Sequence, residues 1–482
     1  MINEQSLSML CDFYQLTMAG GYYKTACAER TAYFDMFFRR IPDGGGYAVC
    51  AGLETVIQYI ESLRFDGEDI DFLHSKGIFD DGFLEYLRGF RFGGDIYAVP
   101  EGTPVFPNEP LVTVRAPIIE AQLIETMLLL LINHQSLIAT KASRLVRAAG
   151  GRDVFEFGSR RAQGASAAVL GARAAYIGGC SGTSCVLADR LYHVPSAGTM
   201  AHSWVQMFDT ELEAFEEYCR LYPNGAVLLV DTYDVLRSGV PNAIRAFDSV
   251  LKPLGARPAG IRLDSGDIAY LSERAREMLD RAGYGDCKII ASNSLDESII
   301  SGLVRQGARI DVFGVGERLI TAASDPVLGG VYKLAAIEEN GVITPKIKIS
   351  ENVSKITNPH YKRLYRLYDN KTGKAQADYL CVYDESIEKD APLELFDPSF
   401  TWKRKTISDF TAVELQTPIF LAGKCVYKSP DIVEIRSRCR EQLGTLWDSV
   451  LRFENPHRYY VDLSQKLWDI KHTLLENRGK KE

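Results

Sequence analysis

His202 stands in the stretch GTMAHSW (198–204), among small residues and directly after the turn-forming run HVPSAGT. A lone histidine is either a chemical group or a satisfied core or surface residue, and its company decides between the two. Over the next hundred or so positions come LLVDTYDV (228–235), GIRLDSGD (260–267), IIASNSLDE (289–297) and VFGVGERL (312–319). Each is a short apolar run ending in polar or glycine-rich residues, the pattern of a strand that delivers chemistry at its C-terminal end.

In GIRLDSGD, Arg262 and Asp264 alternate with Ile261 and Leu263. On a strand the polar pair shares one face and the aliphatic pair the other, so the two polar groups form either a functional pair or a structural ion pair at a strand end. Asp231 follows LLV where the strand should end, as a helix N-cap or as a carboxylate able to hold ribose hydroxyls. Gly314 and Gly316 flank Val315 between an apolar run and a helix, which offers backbone N–H groups to a phosphate or answers only to turn geometry. Arg160 and Arg161, in FEFGSRRAQG (155–164), come directly after another strand-like run and suit a diphosphate; the alternative is one solvated and one salt-bridged arginine. Ser292 and Asn293 serve as turn formers or as neutral donors to a phosphate.

No Ser/His/Asp motif, HExxH or P-loop is present. Arginines, strand-end aspartates, glycine turns and one histidine suit an anionic sugar phosphate better than acyl transfer. Phosphoribosyl transfer needs this inventory. A leaving diphosphate calls for cations, a cationic ribosyl transition state calls for carboxylates and dipoles, and an attacking pyridine nitrogen has no proton to remove.

The spacing also predicts the supporting elements. Strand-like starts near 226, 259, 287 and 310 are about 33, 28 and 23 residues apart, the length of a βα unit. This leaves a doubly wound sheet or a β/α barrel. The missing GxGxxG followed by an acid disfavours the first, so an α/β barrel is expected over 141–345. Residues 1–140 read as an α+β domain: TAYFDMFFRRI alternates like a strand, and IIEAQLIETMLLLLINHQSL is interrupted by polar residues as in a buried amphipathic helix. Residues 346–482 read as a basic loop followed by a C-terminal helical appendage, and AAYIGGCSG (174–182) reads as a strand.

The 482 residues, 46% hydrophobic and 24% charged with net charge −8, describe an ordinary globular protein and argue against a nucleic-acid or membrane partner. No run reaches the length of a membrane span, the N-terminus lacks the pattern of a secretion signal, and ten scattered cysteines form no CxxC pair. The expectation is therefore a cytoplasmic protein with reduced thiols.

With these residues in view, the chain resembles the nicotinate phosphoribosyltransferase family nearly end to end. The likeness runs from DFYQLTMAGGY (12–22) and YFDMFFRRIPDGGGYAVCAGLE, through the strand-end motifs and LGGVYKL, to LWDSVLRFENPHRYYVDLSQKLWDIK. It implies a type II phosphoribosyltransferase fold, an irregular α/β barrel beside an N-terminal α/β domain, in a homodimer. The implied partners are nicotinate, phosphoribosyl diphosphate and ATP, with Mg2+ as cofactor and nicotinate mononucleotide and diphosphate as products. By the resemblance ATP phosphorylates His202, Thr199 lies beside nicotinate, Tyr14 covers the pyridine ring and Arg262 holds its carboxylate. Asp231 and Asp264 orient ribose or the histidine, while Arg160, Gly314 and Gly316 hold phosphates.

Two departures stand out: Glu317 replaces the small hydroxyl residue frequent after the glycine turn, and Pro359-His360 replaces a proline-glycine. Lys346, Lys348, Lys355, Lys362 and Arg363 are either a nucleotide-gripping flap or a solvated loop. The alternative activity is nicotinamide phosphoribosyl transfer. Enzymes of that kind carry an aspartate where this chain has Ser184, and serine suits the acid better than the amide.

Overall fold

The computed structural model describes residues 7–388 and 391–478. Two compact units emerge: residues 138–326 form one, and residues 1–137 together with 327–482 form the other. The helix Glu125–Ala148 carries the chain from the second into the first.

The 138–326 unit is built on a six-stranded sheet in which every pairing is parallel. Its order is Gly182–Thr183, Asp153–Glu156, Val312–Val315, Lys288–Ser292, Gly260–Leu263 and Val227–Leu229. Except between Gly182–Thr183 and Val227–Leu229, each strand lies beside its neighbour in the chain, and the last pairs with the first. That is the ring order of a barrel, whereas a doubly wound sheet reverses direction about a central strand. The ring is open between Gly182–Thr183 and Val227–Leu229, where a parallel bridge of Thr183 with Ser196 extends one edge. The stretch containing His202 falls in this interval.

Local chemistry explains the strands and their helices. Ile261 and Leu263 are fully buried, and Ile289, Leu228 and Phe215 join them in one core. Arg262, on the other face of its strand, keeps partial solvent access. The returning helices Ile268–Arg281 and Glu297–Arg305 are capped by Asp267 and Asp296, whose carboxylates accept from Tyr270 N–H at 3.1 Å and Ile299 N–H at 2.9 Å.

The other unit centres on a seven-stranded sheet: Val342–Pro345, Val331–Glu339, Thr31–Phe37, Val112–Pro117, Asp95–Ala98, Thr417–Leu421 and Lys424–Cys425, all pairs antiparallel. A four-stranded sheet follows, Phe410–Glu414, Lys362–Asp369, Ala375–Val382 and Val461–Leu463.

The structure differs from the sequence reading in three respects. Residues 327–345 do not close the barrel domain, because Val331–Glu339 pairs with Thr31–Phe37. Residues 346–482 are not a separate helical appendage, since Thr417–Leu421 pairs with Asp95–Ala98 and the described part of the segment holds more strand than helix. AAYI (174–177) is the end of the helix Ala165–Ile177, Gly178 and Gly179 turn the chain, and the strand is the shorter Gly182–Thr183. The apolar stretch after residue 118 is helical as expected. No helix among the described residues is long and apolar enough to cross a membrane, and all ten cysteines are free.

Candidate active site

Parallel strands end on one side of the sheet, and there the predicted polar residues meet. Arg262 engages three partners. Its Nη2 donates to Asp264 Oδ1 at 2.7 Å, its Nε to Ser292 Oγ at 2.9 Å and its Nη1 to Thr199 Oγ1 at 3.0 Å. The Ser292 hydroxyl in turn donates to Asp264 Oδ1. His202 Nδ1 lies 3.1 Å from Thr232 Oγ1, and its Nε2 lies 3.9 Å from Asp264 Oδ2. Thr199, Arg262, Asp264 and Ser292 thus share one hydrogen-bonded network, and the His202–Thr232 pair lies against it through the 3.9 Å approach to Asp264.

Asp231 joins the network from below. Its Oδ2 accepts from Asp264 N–H at 3.0 Å and from the Ser265 hydroxyl at 2.6 Å. Its Oδ1 is buried with no hydrogen-bond partner. An unmatched buried carboxylate oxygen carries a desolvation cost that a ligand donor or cation would remove. The helix-cap alternative for Asp231 does not apply, because the cap is Asp234, which accepts from Leu236 and Arg237 N–H at 3.0 and 2.8 Å. The chain then enters a π-helical turn, Val235–Gly239, a form found often beside functional sites.

The glycines line the same strand ends. Gly314 stands opposite Ser292 in the parallel register, and a Cβ there would strike the Phe157 ring. Gly316 packs against the Phe157 carbonyl. Arg160 lies exposed in the turn Ser159–Arg161, and Arg161 faces Glu317 at 3.9 Å. Gly316 and Arg160 stand outside the hydrogen-bond network around Arg262. Asn293 adopts a left-handed turn conformation (φ 83°), the turn-forming role expected of it, while the Ser292 hydroxyl is engaged by Asp264 and Arg262. Ser184 is exposed, its N–H donating to the Glu156 carbonyl at 2.9 Å. Tyr14 belongs to the other unit, on the helix Phe13–Tyr23. It is partly exposed, and its hydroxyl pKa is pushed up to about 12 by burial and by Glu125.

Four residues of this region escaped the sequence reading. Thr232 and Ser265 follow the strand-end aspartates directly, so a repeated Asp-hydroxyl pair was the available signal. Glu156 is fully buried, accepts from the Thr183 hydroxyl at 2.6 Å and from Gly158 N–H, and is held above the usual carboxylate range by burial. Only the bridging of two neighbouring strand ends reveals Glu156 and Thr183. The basic flap reading loses two members. Lys362 is buried against Asp35 at 2.6 Å, and Arg363 pairs with Glu414.

Among the described residues, no group of three or more His, Cys, Asp or Glu is arranged to hold a metal. Magnesium bound through substrate phosphates needs only one or two carboxylates, and the unmatched Asp231 Oδ1 with Asp264 beside it fits that requirement.

Comparison with known proteins gives one consistent result. The model of the nicotinate phosphoribosyltransferase family matches residues 153–372, and those of its N-terminal and C-terminal domains match 9–133 and 361–471. The chain is 47% identical over 470 residues to the nicotinate phosphoribosyltransferase of Bacillus subtilis, covering 97% of this chain and 95% of that protein. It is 45% identical over 388 residues to nicotinate phosphoribosyltransferase pncB2 of Mycobacterium tuberculosis, covering 80% of each. The crystal structure of human nicotinic acid phosphoribosyltransferase superposes with a TM-score of 0.85 at 30% identity, covering 97% of this chain and all of that one. The nicotinate-nucleotide pyrophosphorylase of Pyrococcus furiosus shares the fold, with a TM-score of 0.70 at 23% identity over 92% of this chain and 97% of that one.

Proposed function

Because the chain belongs to the nicotinate phosphoribosyltransferase family and transfers a phosphoribosyl group to nicotinate in NAD salvage, we propose that the transfer takes place at the network around Arg262. The observation that carries this reading is the hydrogen-bonded joining of Arg262, Asp264 and Thr199 at the strand ends, with His202 Nε2 3.9 Å from Asp264 Oδ2. Three of the five N–H donors of Arg262 are engaged by protein, which leaves two for the nicotinate carboxylate.

The ring nitrogen of nicotinate then attacks the anomeric carbon of phosphoribosyl diphosphate as the bond to diphosphate breaks. Positive charge develops on the ribose and is stabilised by the carboxylates of Asp264 and Asp231. Arg160 and the backbone at Gly314 and Gly316 hold the phosphates. Asp231 and Asp264 would hold Mg2+, which supplies neutralisation of the departing diphosphate. In the coupled step ATP phosphorylates His202. Thr232 accepting from the Nδ1 proton leaves the Nε2 lone pair to take the phosphoryl group, and the added negative charge changes the local affinity for diphosphate. Tyr14 as the cover of the ring, the homodimer and the cytoplasmic location remain part of this proposal on the strength of the family resemblance.

The test is steady-state release of diphosphate from phosphoribosyl diphosphate and Mg2+ with either pyridine, with and without ATP. Nicotinate supports turnover, nicotinamide does not, and ATP raises the rate. In His202→Ala the ATP stimulation disappears while slow ATP-independent turnover persists. Retention of full stimulation by this variant would remove the phosphorylation role, and turnover with nicotinamide alone would overturn the substrate assignment.

A further inference from the structure

Away from the barrel, the unit formed by residues 1–137 and 327–482 encloses a cavity of about 880 Å³, well within the range of small-molecule sites. Its walls come from the glycine turn at 44–46, from 106–108, from 353–358, from 455–463 and from the helix Gln465–Arg478. In a chain with 63 acidic residues and a net charge of −8, no aspartate or glutamate lines this cavity, while Lys471, Arg458, His457 and His472 do.

Lys471 is the distinctive member. Its Nζ donates to Asn358 Oδ1 at 2.8 Å, and no carboxylate pairs with it among the described residues. Burial and the charge of Lys362 lower its pKa to about 8, the cost of an ammonium kept from both water and a counterion. Arg458 reaches Asp397 only at 3.9 Å and is largely exposed. Lys471 is therefore the cation of the cavity that no carboxylate among the described residues compensates.

Two aromatic pairs complete the walls. Phe106 stacks on Tyr459 with centroids 3.8 Å apart, and Trp468 stacks on His472 at 3.5 Å. The first pair is fixed from behind. The Tyr459 hydroxyl donates to Asp378 at 2.9 Å, and buried Arg366 grips the same carboxylate at 2.8 and 2.6 Å while lying over both rings. Phe106 and Tyr459 are buried and back the cavity, so the ring surface open to a ligand is that of half-buried Trp468 and His472; beside an ammonium without a carboxylate partner it suits a ligand with a flat ring at one end and an anion at the other.

We propose that this cavity is a second ligand site, separate from the barrel network, that takes a mononucleotide with its base against the aromatic walls and its phosphate at Lys471. Adenosine monophosphate and nicotinate mononucleotide share that chemistry, and inorganic phosphate carries only half of it.

Calorimetric titration of the full chain with each of these three probes tests the proposal. It is done in an Arg262→Ala background, which disables the barrel network, and repeated with Lys471→Met or Lys471→Arg added. The expected result is one mononucleotide bound per Arg262→Ala chain, weakened at least tenfold by Lys471→Met and restored by Lys471→Arg. Phosphate alone binds at least tenfold more weakly than the better nucleotide, and whichever nucleotide is tighter identifies the base. The Lys471→Arg arm and a thermal melt separate loss of charge from loss of fold. Absence of nucleotide binding in the Arg262→Ala chain, an unchanged titration after Lys471→Met, or phosphate binding as tight as either nucleotide would each overturn the proposal.

Discussion

Arg262 illustrates what a guanidinium supplies that an ammonium does not. It satisfies a carboxylate and two hydroxyls from one rigid plane and keeps two N–H groups for the nicotinate carboxylate proposed to bind there, directions that lysine cannot span. Arg262→Lys should lower kcat/KM for nicotinate on the order of a hundredfold, through loss of a charge-assisted bidentate contact of roughly 3 kcal/mol. The loss should lie mainly in the KM for nicotinate and leave that for phosphoribosyl diphosphate less affected, as initial-rate measurements with each substrate varied will show. Thr232 gives a different signature. With the His202 Nδ1 contact removed, Thr232→Val should reduce the phosphohistidine formed from ATP, read by mass spectrometry, more than it reduces turnover without ATP. The individual residue types were legible in the sequence. The hydroxyls that orient them were not, because a threonine or serine after an aspartate is common in any turn.

At the scale of elements, the strand carrying Asp231 and the π-helical turn after it are locked by contact between backbones. Gly239 packs so closely on the Val230 carbonyl that a side chain there would collide with it. Gly239→Ala should displace the turn from the strand, destabilise the protein by about 2 kcal/mol and disturb Asp231 in the same movement. Thermal melting together with turnover will report both effects, and an unchanged Tm would show that the turn has room to shift. The βα rhythm was readable because strand periodicity and helix length are local properties. The short Gly182–Thr183 strand was misplaced onto an alanine-rich stretch whose apolar run suits helix and strand alike.

For the whole molecule, burial of acidic groups sets a pH dependence. Asp462, buried and facing the charge of Asp397, has its pKa pushed up from 3.8 to about 7. Below pH 4 it is protonated folded or unfolded and contributes no difference. Between about pH 4 and 7 the unfolded chain ionises first, so stability falls as pH rises, and above pH 7 the loss is complete. Asp462→Asn should therefore be more stable than the parent above pH 7 by on the order of 2 kcal/mol after solvent screening, read as a higher Tm, with the gain vanishing near pH 4. A gain independent of pH would show that the carboxylate is not the cause. The sequence by itself determined which polar residues gather at the strand ends and that parallel strands present them, since alternation, turn residues and βα spacing depend on near neighbours. Only the tertiary structure decided that residues 331–345 complete the seven-stranded sheet, that Lys362 and Arg363 are taken by Asp35 and Glu414, and that Asp231 braces Asp264 and does not cap a helix. Those outcomes depend on partners tens to hundreds of residues apart, where sheet pairing and charge compensation are settled by the packed chain as a whole.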